Sequence, residues 1–192
     1  MSMGETLEVI NQMVADGIIG LYAISGAVAA LNYIEPTVTE DLDILISFDS
    51  QPKSNFVTLG PVVKYLEAKG YGEWRKEGLL IEGWPVQFLP VSDDLDQEAL
   101  TEAETIEDAF GTDMVVTTRV LAAEHLVAIA LRTKRSKDYL RINAFIDEQA
   151  VDLTRLGDVL ERHNLMGEWA IFCRKTGLPD PLAPKLNDET GR

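Results

Sequence analysis

Asp41 and Asp43 are the residues of this chain whose type and spacing best suit metal chemistry, because they place two carboxylates at the start of an apolar run. The run over residues 42–48 predicts a β-strand. Residues two apart on a strand project from the same face, so both carboxylates point the same way, with their backbones about 6–7 Å apart. Such a pair can hold one or two divalent cations, the arrangement needed to place Mg²⁺ against the phosphates of a nucleotide.

A Ser-Gly pair, Ser25 and Gly26, precedes the two acids, at the point where a predicted strand gives way to a short predicted helix. Exposed N–H groups and the helix dipole favour an anion there, and glycine lets the backbone approach a phosphate closely. Taken alone, a Ser-Gly turn or an Asp-x-Asp strand end is usually structural. The order strand, Ser-Gly, helix, loop and acid-bearing strand is much more specific.

This order resembles the signature of the polymerase-β-type nucleotidyltransferase superfamily, in which a small-residue pair is followed by two acids on a strand. The gap between pair and acids, residues 27–40, is slightly long for that pattern. Within the superfamily, the chain is most similar to the small bacterial proteins that include the abortive-infection, toxin-like nucleotidyltransferases. The resemblance implies Mg²⁺ (or Mn²⁺) as the cofactor and an NTP as the substrate.

The resemblance also implies roles for individual residues. Asp41 and Asp43 would be catalytic and would hold the metal, while Ser25 and Gly26 would position the nucleotide phosphates. Relatives often carry basic residues in the loop before the acids, and this chain has lost them. Thr39 survives there, and would bond either to a phosphate or to the loop backbone.

A basic cluster in the segment EHLVAIALRTKRSKDYLRI resembles the helix-break-helix segment of the toxin-like proteins. There a basic residue and an aspartate near the break face the nucleotide. The matching residues are Arg135 or Lys137, and Asp138. Ser136 is predicted to cap the second helix, whose N-terminus would then face a phosphate. The alternative for Asp138 is a salt bridge to an arginine that docks the two parts of the chain.

The third carboxylate of the superfamily's metal site usually comes from a neighbouring strand. The matching strand here is PVQFLP, and the corresponding position is Gln87. An amide oxygen can ligate a divalent ion, but it brings no charge and cannot act as a base. Gln87 is therefore either a third metal ligand or a residue that merely occupies a half-buried strand face. Metal affinity should fall if no other acid substitutes.

The composition indicates a soluble globular protein. The chain has 192 residues, 46% of them hydrophobic, and a formal net charge of −15. Such a charge argues mildly against long nucleic acid as a partner. No apolar run approaches the length of a membrane span, and the N-terminus does not resemble a signal peptide. The single cysteine, Cys173, fits a reducing compartment, so we expect a cytoplasmic protein.

The fold class predicted is α+β: a nucleotidyltransferase-like mixed sheet flanked by helices over residues 1–117, then a small helical bundle over 118–178. Residues 179–192 are predicted to be an extended or disordered tail. We expect strands 18–24, 42–48 and 85–89 to pair in one sheet. The last of these should form a hairpin with residues 79–82, and residues 114–117 should form another strand. Helices are predicted over 5–15, 27–33, 58–69 and 94–102, and the helical part begins with one over 119–131.

Two functions from different classes remain open at this point. The first is a Mg²⁺-dependent nucleotidyltransferase that moves a nucleotidyl group from an NTP to a hydroxyl or phosphate acceptor, whether tRNA, protein or small molecule. The second is a catalytically degenerate version of the fold that binds a nucleotide or a protein without turnover. Gln87 and the missing basic residues favour the second, and the intact Asp-x-Asp favours the first. The sequence does not predict an oligomeric state.

Overall fold

A seven-stranded mixed sheet forms the centre of the protein in the computed structural model, which describes residues 2–35, 39–48, 58–111, 113 and 115–183. The strands are β1 Tyr22–Ile24, β2 Leu42–Ile46, β3 Trp74–Arg75, β4 Gly78–Ile81, β5 Trp84–Pro90, β6 Glu104–Asp108 and β7 Val116–Val120. Their order across the sheet is β3-β4-β5-β2-β1-β7-β6. Strand β2 runs parallel to β5 and antiparallel to β1, and β1 runs parallel to β7. The predicted pairing of the three central strands is confirmed.

Helices pack on the sheet, and the elements that follow the last strand in the chain are all helices. They are α1 Met3–Ala15, α2 Gly26–Ala30, α3 Gly60–Ala68, α4 Asp94–Thr101, α5 Ala123–Thr133, α6 Ser136–Asp147, α7 Leu153–Arg162 and α8 Met166–Thr176. Helices α2 and α4 pack on β2, α1 packs on β7, and α5 contacts α2, α4, α6, α7 and α8. The α+β class, a mixed sheet flanked by helices and followed by C-terminal helices, is therefore confirmed.

The most accurate element predictions rest on strong apolar periodicity and recognisable caps. Helix α1 has the full reciprocal cap between Ser2 and Glu5, and Asp152 caps α7 through the N–H groups of Thr154 and Arg155. The hairpin of β4 and β5 forms as predicted, with both strands pairing antiparallel. Leu42, on β2, is fully buried, as are the other apolar residues on its face.

Two strands, β3 and β6, were not predicted from the sequence, because they carry no apolar pattern. Both residues of β3 are exposed, and four of the five residues of β6 are exposed. Each lies at an edge of the sheet, so neither of its faces needs to be uniformly apolar.

The predicted strand 18–24 is too long. Strand β1 begins only at Tyr22, because the chain turns at Gly17, where φ is +70°. Ile18 N then donates to Met13 O at the end of α1. The predicted strand 114–117 starts and ends too early, since β7 runs through Val120 and α5 begins at Ala123. Met114 lies outside the described residues.

The predicted division of the chain after residue 117 falls inside β7. Whether the parts on either side fold as separate domains stays a prediction. Within the predicted tail, Asp180 Oδ1 accepts a hydrogen bond from Trp169 Nε1 over 2.7 Å. Residues 184–192 of that tail lie outside the description. No helix in the described part of the chain is long and apolar enough to cross a membrane.

Candidate active site

The two aspartates lie at the beginning of β2, in the middle of the sheet. Asp43 is the second residue of the strand, and Asp41 immediately precedes it. Both are partly buried, and both line one cavity of about 500 Å³. The backbone holds Asp43 closely, since Ser25 N donates to Asp43 O over 2.8 Å. The structure thus brings the Ser-Gly pair and the Asp-x-Asp pair together.

Gly26 is required where it stands, for two reasons. Its φ is +63°, a conformation that side chains rarely adopt, and a methyl group built on it would lie 2.0 Å from Asp43 Oδ2. The carboxylate of Asp43 therefore rests directly on the start of α2. Ser25 is buried and makes no side-chain bond to that helix.

The electrostatics of the site suit a cation. Burial raises the pKa of Asp43, and the nearby Asp41 raises it further, while Arg135, Lys137 and Arg141 partly offset the effect. A divalent ion bound by both carboxylates would relieve the burial and the repulsion together. The oxygen donors present are the hard ligands that Mg²⁺ and Mn²⁺ prefer, so the residues fit the metal that the resemblance implies.

The basic cluster faces the same cavity as the aspartates. Arg135, Lys137 and Arg141 line it together with Asp41 and Asp43. The break between the two helices is made by Lys134, whose left-handed backbone (φ +59°) ends α5. The predicted orientation of Arg135 and Lys137 is therefore observed. Their role in binding a nucleotide stays a prediction.

Asp138 is almost fully buried and forms an ion pair with Arg135. It accepts hydrogen bonds from Arg135 Nε over 2.8 Å and from Thr133 Oγ1 over 2.7 Å. Burial raises the pKa of Asp138, but these bonds outweigh burial and the net shift is downward. The salt bridge that was the alternative for Asp138 is thus present. It forms within the helix-break-helix segment and not between two parts of the chain.

Ser136 does not cap α6, so that prediction is wrong. Arg135 occupies the cap position, and Ser136 is the first residue of the helix. The side chain of Arg135 makes no capping hydrogen bond to α6. The chain enters α6 from the tight turn at Lys134, and the helix begins at Ser136 itself. This is one residue too early for the serine to be its cap.

Thr39 bonds to its own loop. Its hydroxyl donates to the carbonyl oxygen of Asp41 over 3.2 Å and to Asp41 Oδ1 over 3.1 Å. The predicted phosphate contact of Thr39 would need this hydroxyl to turn. Beside it, Glu40 pairs with Lys76 over 2.8 Å, although both side chains are largely exposed.

Gln87 stands next to Asp43 on the neighbouring strand, since the register of β2 and β5 pairs these two residues. Its side-chain nitrogen donates to Glu77 Oε2 over 3.2 Å. Glu77 lies between β3 and β4 and was not among the residues identified from the sequence. Nothing in the sequence marks it, because its position beside Gln87 depends on how the two hairpins fold together.

Two further cavities flank Gln87. One, of about 440 Å³, is lined by Asp41, Lys76 and Trp84 among others. The other, of about 310 Å³, is lined by Ser25, Gly26 and Asp43 and by side chains of α5 and α6. Glu77 and Gln87 line both. The aspartates thus lie where three openings meet.

A second cluster of titratable groups lies away from this site. His125 and His163 both place Nε2 within hydrogen-bond distance of Glu98, at 3.1 and 2.9 Å, and Arg162 donates to the same carboxylate. No sequence pattern predicts that these two distant histidines converge. Glu98, Glu102 and His125 have ligand atoms within 4.8 Å of one another. Since Arg162 already neutralises Glu98, we interpret the cluster as a network that joins α4, α5 and α7.

The hydrogen bonds to Glu98 should make the stability of the protein depend on pH. The hydrogen bond from Arg162 and those from the two histidines lower the pKa of Glu98 from 4.5 to about 2. A carboxylate whose pKa is lowered by folding stabilises the protein above its unfolded pKa, and this contribution is lost as pH falls from about 4.5 towards 2. Glu98→Gln should cost about 1–3 kcal/mol at pH 7.

Urea denaturation at several pH values measures this effect. The difference between wild type and Glu98→Gln should shrink as the pH falls below 4.5. Glu161→Gln is the control, because Glu161 is exposed on α7 and the change should cost about 0.5 kcal/mol or less. Equal losses in the two variants would contradict the interpretation.

No protein-family model matches the chain, and no curated protein matches it. Among solved structures it is similar to the antibiotic-resistance factor ANT(2'')-Ia, known from a solution structure. The two share 15% sequence identity, with 89% of this chain and 96% of that chain covered, at a TM-score of 0.43.

Proposed function

We propose that this protein is a Mg²⁺- or Mn²⁺-dependent nucleotidyltransferase. It would move a nucleotidyl group from an NTP to a hydroxyl or phosphate acceptor. The observation that carries the proposal is one arrangement: Asp41 and Asp43 share a cavity with Arg135 and Lys137, and Asp43 rests on Gly26. Carboxylates that can bind a cation and basic side chains that can bind an anion face the same cavity, as a metal–triphosphate complex requires.

Each residue has a role in this proposal. Asp41 and Asp43, with the Gln87 amide oxygen, would hold the cation. When bound, the cation would offset the negative charge of the phosphates. Lys137 and Arg135 would stabilise the charge that develops on the leaving pyrophosphate. The acceptor oxygen forms a bond to the α-phosphorus as the bond from that phosphorus to the oxygen it shares with the β-phosphate breaks. Pyrophosphate leaves with the electron pair, and the proton of a hydroxyl acceptor passes to water.

The acceptor would enter from the cavity of about 440 Å³, which Asp41 shares with Trp84 and Lys76. Ser25 and Gly26 line the cavity of about 310 Å³ and not this one, so it is distinct from the place proposed for the phosphates. The partly buried Trp84 can pack against a ring or an apolar face of an acceptor. The net charge of −15 disfavours a long nucleic acid as that acceptor.

The degenerate alternative keeps a specific observation in its favour. Asp138 holds Arg135 through two hydrogen bonds, so one of the two proposed phosphate-binding cations is already paired. Together with an amide at Gln87, this would suit a protein that binds a nucleotide without turnover. Pyrophosphate release separates the two functions, because only the enzyme breaks the bond between the α- and β-phosphates.

Three further parts of the proposal rest on the sequence. A relationship to the abortive-infection, toxin-like nucleotidyltransferases would make this protein part of a toxin system. Cys173, buried in α8, is compatible with the cytoplasmic location expected from a single cysteine. The acceptor would be a tRNA, a protein or a small molecule of the same compartment.

Lys137→Ala tests the phosphate-binding role of the basic cluster. The variant should weaken binding of an NTP with Mn²⁺ by roughly 1–3 kcal/mol, the range for a charge-assisted contact. Titration calorimetry measures the change. Lys134→Ala is the matched control, since Lys134 lies in the same break but pairs with Glu168 over 2.9 Å. Equal affinities of wild type and Lys137→Ala would remove Lys137 from the site.

A further inference from the structure

The proposed cation site contains an amide where a third charge would strengthen it. Asp41 and Asp43 supply two negative charges, and Gln87, paired in register with Asp43, supplies none. Glu77 is the acid next to this amide: its Oε2 accepts from Gln87 Nε2 over 3.2 Å. Glu77 and Gln87 together line both cavities that flank the aspartates.

We propose that Glu77 is a positioning residue that supplies the missing charge through Gln87. This inference rests on the proposed function. The carboxylate of Glu77 fixes the amide nitrogen, so the amide oxygen is the atom of Gln87 left for the cation. Glu77 also adds a third negative charge one side chain away. Carboxylates placed in this way behind a metal ligand orient it and raise the affinity of the site.

The position of Glu77 is built into the fold. The next residue, Gly78, lies so close to β5 that a methyl group on it would be 2.9 Å from Val86 N. The preceding residue, Lys76, pairs with Glu40 in the loop that leads to Asp41. The turn between β3 and β4 is therefore attached on one side to the strand of Gln87, and on the other to the loop of the aspartates.

Glu77 acts from behind Gln87 and not by direct contact with both aspartates. Among the described residues, the single group of three acids or histidines with ligand atoms within 4.8 Å of one another is that of Glu98. Glu77 therefore does not form such a group with Asp41 and Asp43. The hydrogen bond to Gln87 is the contact through which its charge reaches the site.

Mn²⁺ binding to the full chain without nucleotide, followed by electron paramagnetic resonance, tests the inference. Glu77→Gln should weaken Mn²⁺ binding about 10-fold or more. Glu73→Gln, at an exposed position just before the same hairpin, should bind Mn²⁺ as wild type does. The exchanged pair, Glu77→Gln with Gln87→Glu, moves the carboxylate to the position of the ligand itself and should bind Mn²⁺ at least as tightly as wild type.

Thermal unfolding of each variant accompanies the measurement, so that a loss of fold is recognised. A folded Glu77→Gln variant that binds Mn²⁺ as tightly as Glu73→Gln overturns the role of Glu77. An exchanged pair that folds but stays as weak as Glu77→Gln overturns it as well. If Asp43→Asn loses Mn²⁺ and Glu77→Gln does not, this inference alone fails. If the wild type binds no Mn²⁺, the proposed function fails with it.

Discussion

Asp43→Asn is expected to abolish catalysis while making the folded protein more stable. The change keeps the size of the side chain and removes the charge that would hold the cation. Loss of a metal-binding carboxylate should lower turnover by about 100-fold or more, in line with other losses of transition-state charge stabilisation. Binding of Mn²⁺ together with an NTP should fall in parallel.

The gain in stability follows from the pKa of Asp43, which burial and the charge of Asp41 raise above the ordinary value of 3.8. A carboxylate whose pKa is raised by folding destabilises the folded state once it is ionised. That cost is fully present above the folded pKa and disappears as pH falls below 3.8. The free energy of unfolding of Asp43→Asn should therefore exceed that of wild type at pH 7, and the difference should shrink towards acid pH.

Urea denaturation and a pyrophosphate assay on the same two proteins check both halves of this prediction. A variant that loses activity because it is misfolded would be less stable, which would contradict the account. Asp94→Asn is a suitable control, since Asp94 lies on α4 and lines none of the three cavities around the aspartates. It should change neither turnover nor Mn²⁺ binding.

Gly26→Ala is expected to damage both the fold and the site. The left-handed backbone at Gly26 alone costs an alanine about 1–2 kcal/mol. The added methyl group also collides with Asp43, at 2.0 Å from Oδ2. The carboxylate must move for the chain to fold, and both stability and Mn²⁺ binding should fall.

Gly17→Ala separates the two causes. Gly17 has nearly the same backbone, φ +70°, but a methyl group there meets nothing within 4 Å. This variant should lose about 1–2 kcal/mol of stability and bind Mn²⁺ normally. Calorimetry of both variants measures the contrast. Normal Mn²⁺ binding by Gly26→Ala would show that Asp43 is not the ligand that Gly26 accommodates.

The sequence predicted the elements that position the aspartates because their causes are local. An apolar run after Asp41, a Ser-Gly pair at a strand end and a hairpin around Gly83 each specify their own structure. Gly26 was expected to approach a phosphate. The structure adds that it first makes room for Asp43.

The remaining features depend on contacts between distant parts of the chain. Glu77 reaches Gln87 only because the hairpin of β3 and β4 and the hairpin of β4 and β5 fold together, and no periodicity marks it. His125 and His163 meet at Glu98 through the packing of separate helices. The exposed edge strand β6 carries no apolar pattern to be recognised. Each of these needs tertiary structure, which overrides local pattern.

The most direct test of the central claim is pyrophosphate release. Purified wild type and Asp43→Asn would be incubated with each NTP and Mg²⁺ or Mn²⁺, alone and with tRNA, protein and small hydroxyl-bearing acceptors. The account predicts release of pyrophosphate from at least one NTP by the wild type, dependent on the metal and reduced about 100-fold or more in Asp43→Asn. Release that is equal in the two proteins, or none from the wild type under every condition, would contradict it.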